Sequence, residues 1–146
     1  ATAPEWAVFD GVFAYSSSAQ TIGHSGSHTA ITLTATLFDT SSYWSAGDPT
    51  KITIPTTGYY FIASHLTFDT NATGGRHLKV YKDGVSLSNL SAGDTPNSTT
   101  ECSLGLSSIR SLTAGEYLQL YAWQDSGGNL DTKANLSSLA VCKIGV

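Results

Sequence analysis

Charged side chains are scarce in this sequence, and basic ones are scarcer than acidic ones. Only 12% of the 146 residues are charged, with 7 Lys and Arg against 11 Asp and Glu, which gives a net charge of −4. The basic residues are scattered, and the densest group is Arg76, Lys79 and Lys82. Because a nucleic-acid interface needs a concentrated basic footprint, the sequence predicts no nucleic-acid partner.

Long apolar runs and cysteines at metal-binding spacing are also missing. No stretch approaches the roughly 18 consecutive apolar residues of a membrane-spanning helix, so we expect no membrane insertion. The two cysteines, Cys102 and Cys142, lack the short spacing of zinc or thioredoxin motifs. The favoured interpretation is two buried free thiols, and a disulfide between neighbouring strands stays open.

Helical periodicity is almost absent, whereas apolar and polar residues often alternate. Ile31, Leu33, Ala35 and Leu37 alternate with threonines, which is the pattern of a half-buried strand. Segments of this kind predict ten strands, at about 8–16, 20–23, 29–38, 51–54, 58–68, 76–82, 85–88, 100–111, 116–124 and 136–145. Ten short strands without helices predict an all-β fold of two packed sheets or a closed barrel.

Turn residues separate these strands at the spacing that is typical of a β-sandwich. The Asp83-Gly84 pair lies between two strand patterns and is the signature of a two-residue hairpin. Residues 1–7 are interpreted as an entry segment, and residues 8–146 as one domain of ordinary size.

Residues 54–68 resemble a motif of the C1q/TNF-like family. An Ile-Pro pair is followed by Gly58 and Tyr60, which match the family's Gly-x-Tyr strand, although Ile62 replaces its phenylalanine. His65 is then followed by a hydrophobic residue and a threonine, as is common in the family.

Other pieces of the family pattern follow in the right order. Residues 12–15 resemble its first strand, residues 37–44 its Phe-(Asp/Asn) loop, and residues 112–120 its Leu-x-x-Gly-Asp strand with Glu116 in the acidic position. Residues 138–146 depart from the family's usual ending.

The resemblance implies a ten-strand jelly-roll β-sandwich over about residues 8–146, assembled as a homotrimer through one of its sheets. The amino-acid sequence of residues 38–40, 52–55 and 71–74 is most similar to that of C1q-like domains of bacteriophage tail-fibre or capsid proteins. It therefore implies a non-enzymatic protein on the surface of a virion, outside the cell.

Two of the expected strands, 58–68 and 116–124, carry apolar or aromatic residues on both faces. A two-layer sandwich that exists alone should show one polar face, and aromatic residues with polar tips are enriched at interfaces. We therefore expect contact between subunits at Tyr59, Phe61, His65, Tyr117, Gln119, Tyr121 and Trp123. The alternatives left open are that loops cover these residues or that they line a ligand groove.

No arrangement of residues supports catalysis. Residues 23–27 lack the final glycine and the following helix of a nucleophile elbow. His24 and His28 have the spacing of a helical metal pair but lie in a Gly/Ser-rich segment. The loop 125–131 offers oxygen ligands without the spacing of an EF-hand. We expect no enzyme activity, no metal site and no cofactor, with calcium left open as an alternative.

The leading hypothesis is a homotrimeric phage protein that binds a host-cell receptor or glycan, or that decorates the virion through a capsid or tail protein. Its expected surface contacts are Tyr43, Trp44 and Arg76, because aromatic and Arg side chains dominate binding hot spots. Packing beneath the loop 39–50 is the alternative for Tyr43 and Trp44. The alternative functions are a secreted carbohydrate-binding or adhesin module and a cytokine-like C1q/TNF ligand.

Overall fold

The computed structural model describes residues 9–24, 26–96 and 100–146, and eleven strands are distributed along this length. The expected entry segment, residues 1–7, lies outside the described residues. The strands in chain order are β1 (Gly11–Tyr15), β2 (Thr21–Ile22), β3 (Thr29–Ala30), β4 (Ala35–Asp39), β5 (Ile52–Thr53), β6 (Gly58–Phe68), β7 (Arg76–Lys82), β8 (Val85–Asp94), β9 (Cys102–Leu112), β10 (Tyr117–Gln124) and β11 (Leu130–Gly145).

These strands form two antiparallel sheets. The first, called the β6 sheet, has the order β4-β1-β11-β6-β9, with β2 paired to β11. The second, called the β10 sheet, has the order β3-β10-β7-β8, with β5 paired to β10. The prediction of an all-β fold with two packed sheets is confirmed. The part of the chain that the structure describes has no helix long and apolar enough to cross a membrane.

The hydrophobic core lies between the two sheets. Successive side chains of a strand point to opposite sides, so every second residue of β6 faces inward. Tyr60, Ile62 and Leu66 are fully buried in this way, and Leu118 and Leu120 of β10 belong to the same core. Each such side chain contributes roughly 1.5–3 kcal/mol to folding.

The expected strand 29–38 is divided between the two sheets. Ala30 pairs with Tyr121 in the β10 sheet, whereas Ala35 pairs with Tyr15 in the β6 sheet. The chain crosses from one layer to the other between them, which is why ten expected strands become eleven. Ile31 and Leu33 stay fully buried through the crossing, whereas Leu37, which follows the same alternation in the sequence, is 69% exposed at a register shift between β1 and β4.

Two other strands are longer than expected. β8 continues to Asp94, through a segment that the sequence predicts as a turn. β11 begins at Leu130 instead of residue 136, and its pairing with β6 shifts register between Thr132 and Ser137. A bulge of this kind lets a strand continue past residues that break its alternation.

The predicted hairpin between β7 and β8 is confirmed. Asp83 and Gly84 have φ values of 50° and 80°, so both adopt the left-handed conformation of a type I′ turn. The turn is anchored to β10, because the Asp83 amide donates to the carbonyl of Tyr117 at 3.0 Å.

Both cysteines are free, as the favoured interpretation predicted, but only Cys102 is buried. Cys102 lies opposite Phe68 and faces the core, whereas Cys142 lies opposite Phe61 on the outer side of the β6 sheet. Burial raises the pKa of both thiols, although Cys142 is only half-buried.

Candidate binding surfaces

The outward side of the β6 sheet is apolar across five strands. Paired residues share a face of a sheet, and the pairings place Phe38, Phe13, Ala140 and Ala63 in one row from β4 to β6. We call this surface the β6 outer face. Its members are Phe13, Tyr15, Phe38, Tyr59, Phe61, Ala63, His65, Ile109, Ala140 and Cys142.

Much of the β6 outer face is exposed on the protomer. Tyr59, Phe61 and Ile109 are 53%, 42% and 56% exposed, and Phe38 is exposed as well. An open groove of about 330 Å³ lies at the β1 and β4 end of this face, and it is lined by Phe13, Tyr15, Leu37 and Asn135. Soluble monomers rarely expose apolar patches this continuous, so the face has the character of an interface.

His65 lies toward one end of the β6 outer face, where its Nδ1 atom is 3.2 Å from the carbonyl of Leu136. The structure therefore places three of the expected contact residues, Tyr59, Phe61 and His65, on one surface. Their contact with another subunit stays a prediction.

The other four expected contact residues lie on the opposite side of the molecule. Tyr117, Gln119, Tyr121 and Trp123 belong to β10, and they point away from the core on the other sheet. These four residues therefore lie on the sheet opposite to the one that carries Tyr59, Phe61 and His65. The seven expected contact residues thus lie on two sheets instead of the single sheet that the expected trimer contact would use, and their contact with another subunit stays a prediction. Gln119 is also buried, and its Nε2 atom donates to the Thr50 hydroxyl at 2.9 Å.

Sequence reasoning missed the partners of these β10 residues. His77 and Tyr81 of β7 stack on Trp123 and Tyr121, and His28 lies beside the same rings. The alternation of β7 shows that His77 and Tyr81 share a face. It does not show which strand lies next to β7, and that pairing brings the rings together.

Tyr43 and Trp44 pack beneath the loop 39–50, which was the alternative left open for them. Tyr43 is 1% exposed and makes an edge contact with Tyr60, with ring centroids 6.4 Å apart. Its burial raises the pKa of its hydroxyl. Both backbone amides donate to the Asp39 carboxylate, and the Trp44 indole donates to the Pro49 carbonyl at 3.3 Å. The expectation that they are surface contacts is corrected.

Arg76 is also corrected as a surface contact, because it is 0% exposed. Its Nη1 atom donates to the carbonyls of Thr73 and Gly75, each at 2.9 Å, and its Nη2 atom donates to Asn71 at 2.8 Å. Burial lowers the pKa of Arg76, and the nearby Asp125 carboxylate opposes that effect. The guanidinium therefore holds the turn 71–75 in place instead of meeting a ligand.

The oxygen groups considered for calcium are used within the protein. Asp125 accepts the Gly75 amide, and Asp131 accepts the Thr21 hydroxyl at 2.6 Å. Within the described ranges, no group of three or more His, Cys, Asp or Glu side chains is placed to hold a metal ion.

Comparison with known proteins gives structural matches only. No protein-family model and no curated protein matches the sequence. Murine APRIL at pH 5.0 superimposes with a TM-score of 0.72 at 12% identity, covering 94% of this chain and 100% of that chain. The globular domain of zebrafish complement 1qA gives 0.67 at 13% identity, covering 94% and 98%. Eiger TNF from S. frugiperda gives 0.65 at 12% identity, covering 94% and 93%.

At these identities the likeness shows the fold. This chain is a jelly-roll β-sandwich of the C1q/TNF-like kind, as the sequence resemblance predicted. What the chain binds is a separate question, which the exposed surfaces address.

Proposed function

We propose that this chain is one protomer of a homotrimeric, non-enzymatic binding head, assembled through the β6 outer face. The exposed apolar surface across five strands is the observation that carries the proposal. Removing side chains such as Tyr59, Phe61 and Ile109 from water would contribute roughly 1.5–3 kcal/mol each. The likeness to the APRIL and complement 1qA folds is consistent with this use of the fold.

The proposed setting is the surface of a bacteriophage particle, outside the host cell. There the head binds a host receptor or glycan, or decorates the virion through a capsid or tail protein. This setting is supported by the amino-acid sequence of residues 38–40, 52–55 and 71–74, which resembles that of phage C1q-like domains. Tail or capsid genes beside the gene for this chain would support the setting, and genes of a secretion system in their place would oppose it.

A secreted, cytokine-like ligand is the second candidate, and two solved neighbours, APRIL and Eiger TNF, favour it. The sequence contains Asn-X-Ser/Thr glycosylation sequons, two of them at Asn89 and Asn135, and glycan at these positions would distinguish the two settings. Asn135 lines the groove beside Phe13 and Tyr15, so a glycan there would obstruct the β6 outer face. Asn89 is exposed on β8, in the other sheet. A secreted ligand that assembles through the β6 outer face should carry glycan at Asn89 and none at Asn135.

Assembly is tested by light scattering of the purified chain at micromolar concentration. We expect a mass three times that of the 15.3 kDa protomer. Phe61→Glu places a charge in the middle of the β6 outer face and should yield a folded monomer. Val85→Glu is the matched control, because Val85 is 69% exposed but lies on β8 of the other sheet, and it should leave the trimer intact.

Two results would contradict the proposal. The first is a wild-type protein that is monomeric at this concentration. The second is a Val85→Glu protein that dissociates as readily as Phe61→Glu, since the effect would then not belong to the β6 outer face.

A further inference from the structure

A row of rings crosses the outer side of the β10 sheet. His28, Trp123 and His77 follow one another, and Gly93 of β8 lies opposite His77. The His77 and Trp123 rings stack with centroids 4.7 Å apart, and the His28 ring lies 6.3 Å from each of them. A Cβ atom at Gly93 would come within 2.7 Å of the His77 ring, so the glycine leaves the space that the ring occupies.

A second pair of rings lies beside this row. Tyr81 and Tyr121 stack with centroids 3.9 Å apart, and His28 is 6.2 Å from Tyr81. We call His28, His77, Tyr81, Tyr121 and Trp123 the ring platform. Because the stacked rings already restrict one another's rotation, their side chains would lose little conformational entropy when a ligand binds.

The platform carries polar groups that the protein leaves unused. Within the described ranges, no side-chain hydrogen bond joins the phenols of Tyr81 and Tyr121 or the indole of Trp123 to the rest of the chain. The Nε2 atom of His28 is buried and likewise has no partner there. Rigid rings with free donors and acceptors are typical of binding surfaces.

Lys79 supplies an unpaired positive charge in the middle of the platform. It lies on β7 directly opposite Tyr121, and in the described part of the chain it makes no ion pair. By contrast, Lys51, Lys82 and Lys133 each form an ion pair with at least one carboxylate within the described residues. The unpaired ammonium of Lys79 is locally complementary to an acidic group of a ligand, although the net charge of the protein is −4.

The position of the platform limits the class of ligand. It lies over the two central strands of the β10 sheet, β10 and β7, away from the edges where a peptide could add as a strand. Sugar rings have apolar C–H faces that pack on aromatic rings, and hydroxyl groups that bond to phenol, indole and imidazole edges. A half-buried group of stacked rings beside the unpaired Lys79 therefore favours an acidic sugar, held by ring edges and by the outer faces of the stacks, over an acidic peptide.

From this geometry we infer that the ring platform binds an acidic oligosaccharide, whose sugar rings contact Trp123 and Tyr121 and whose carboxylate pairs with Lys79. This site is separate from the β6 outer face and lies on the opposite side of each protomer.

The charges around His28 agree with an acidic ligand. Burial lowers the pKa of His28, and the positive charges of Lys79 and His77 lower it further. Across β8, the residues paired with His77 and Lys79 are Gly93 and Ser91, which carry no charge. A bound carboxylate would offset this repulsion and favour protonated His28. Binding should then tighten as the pH falls below 6.5, the ordinary pKa of histidine, because the lowered pKa of His28 places its protonation below that value.

The test is titration of the full chain with sialyllactose and with tetragalacturonate, followed by calorimetry and by the indole NMR signal of Trp123. Lactose and methyl-esterified tetragalacturonate are the neutral counterparts of the two probes. We expect at least one acidic probe to bind, to shift the Trp123 indole signal and to bind more tightly at lower pH, and we expect neither neutral counterpart to do so.

Variants locate the site. Lys79→Gln should weaken binding by about tenfold, as expected for loss of one charge-assisted contact. Lys143→Gln removes the same charge from β11, in the other sheet, and should bind as the wild type does. Any one of three results would overturn the inference. They are that neither acidic probe binds, that acidic and neutral probes bind equally well, and that Lys79→Gln binds as tightly as the wild type.

Assembly and ligand binding can fail independently. A folded Phe61→Glu monomer should still bind the acidic probe, because the platform belongs to one protomer. If light scattering shows the wild type as a pair of trimers that separates when Trp123 is changed to Ala, the platform is a contact between copies, and the sugar site is overturned while the trimer stands.

Discussion

Arg76 is the residue at which charge and burial conflict most strongly. Arginine is almost never fully buried unless its charge is paired, so the sequence alone favours a place on the surface. The structure satisfies the guanidinium with the carbonyls of Asn71, Thr73 and Gly75 instead of a carboxylate. Sequence spacing could not reveal this, since the acceptors are backbone atoms that any residue supplies.

Replacement of this side chain should be costly. Arg76→Leu fills the site with an apolar side chain but removes the charged donor of three part-buried hydrogen bonds to the carbonyls of Asn71, Thr73 and Gly75. We expect the free energy of unfolding to fall by about 2–3 kcal/mol, as measured by urea denaturation.

Arg110→Leu is the control for this prediction. Arg110 donates to the Ser88 carbonyl at 2.7 Å in a solvent-exposed bond, so its loss should cost less than about 1 kcal/mol. Equal losses for the two variants would show that the buried contacts of Arg76 do not stabilise the turn.

At the scale of strands, alternation predicted which residues share a face but not which strands are neighbours. The sequence shows that β6 and β10 carry apolar or aromatic residues on both faces, and both strands form near the expected positions. Their membership of different sheets depends on long-range pairing, which local pattern does not specify. The crossing between Ala30 and Ala35 was missed for the same reason, because inward residues continue to alternate through it.

The β7–β8 hairpin tests how strongly one turn supports the β10 sheet. Gly84 has a φ of 80°, a conformation that costs a residue with a Cβ atom roughly 1 kcal/mol or more. We expect Gly84→Ala to lower the free energy of unfolding by about 1–2 kcal/mol in the same urea measurement. The reason is conformational and not steric, since a Cβ at this position meets nothing closer than the Tyr117 hydroxyl at 3.8 Å.

Gly47→Ala is the matched control for the turn. A Cβ at Gly47 meets nothing within 4 Å, and Gly47 is not among the glycines with positive φ. Its replacement should be neutral or slightly stabilising, because alanine restricts the unfolded chain. A similar loss in both variants would mean that the turn conformation is not the cause.

At the scale of the whole molecule, the sandwich separates two kinds of surface. The β6 outer face is apolar and exposed, which suits association with copies of the same chain. The ring platform on the opposite sheet is aromatic and polar, and Lys79 beside it makes no ion pair within the described residues. A trimer built on the first surface would leave three copies of the second facing outward. Three sites would let a weak sugar contact hold a polyvalent surface firmly, without any new contact in a single site.

The reactivity of the Cys142 thiol can be used to test whether the β6 outer face is covered in solution. It lies next to Phe61 on that face and is half-buried in the protomer, whereas Cys102 is buried in the core. Burial raises the pKa of the Cys142 thiol in any assembly state, which slows its reaction with a maleimide but does not prevent it. A trimer would add a second, removable barrier, because a reagent could reach Cys142 only after dissociation.

We therefore expect maleimide labelling of Cys142, followed by mass spectrometry, to be about tenfold slower in the wild type than in the Phe61→Glu monomer. Val85→Glu should label as slowly as the wild type, and Cys102 should stay unlabelled in all three while they are folded. Dilution of the wild type should raise the Cys142 rate, since dissociation follows mass action. Equal Cys142 rates in the three proteins, independent of concentration, would mean that nothing covers this face, and the apolar surface would then need an occupant other than a second copy of the chain.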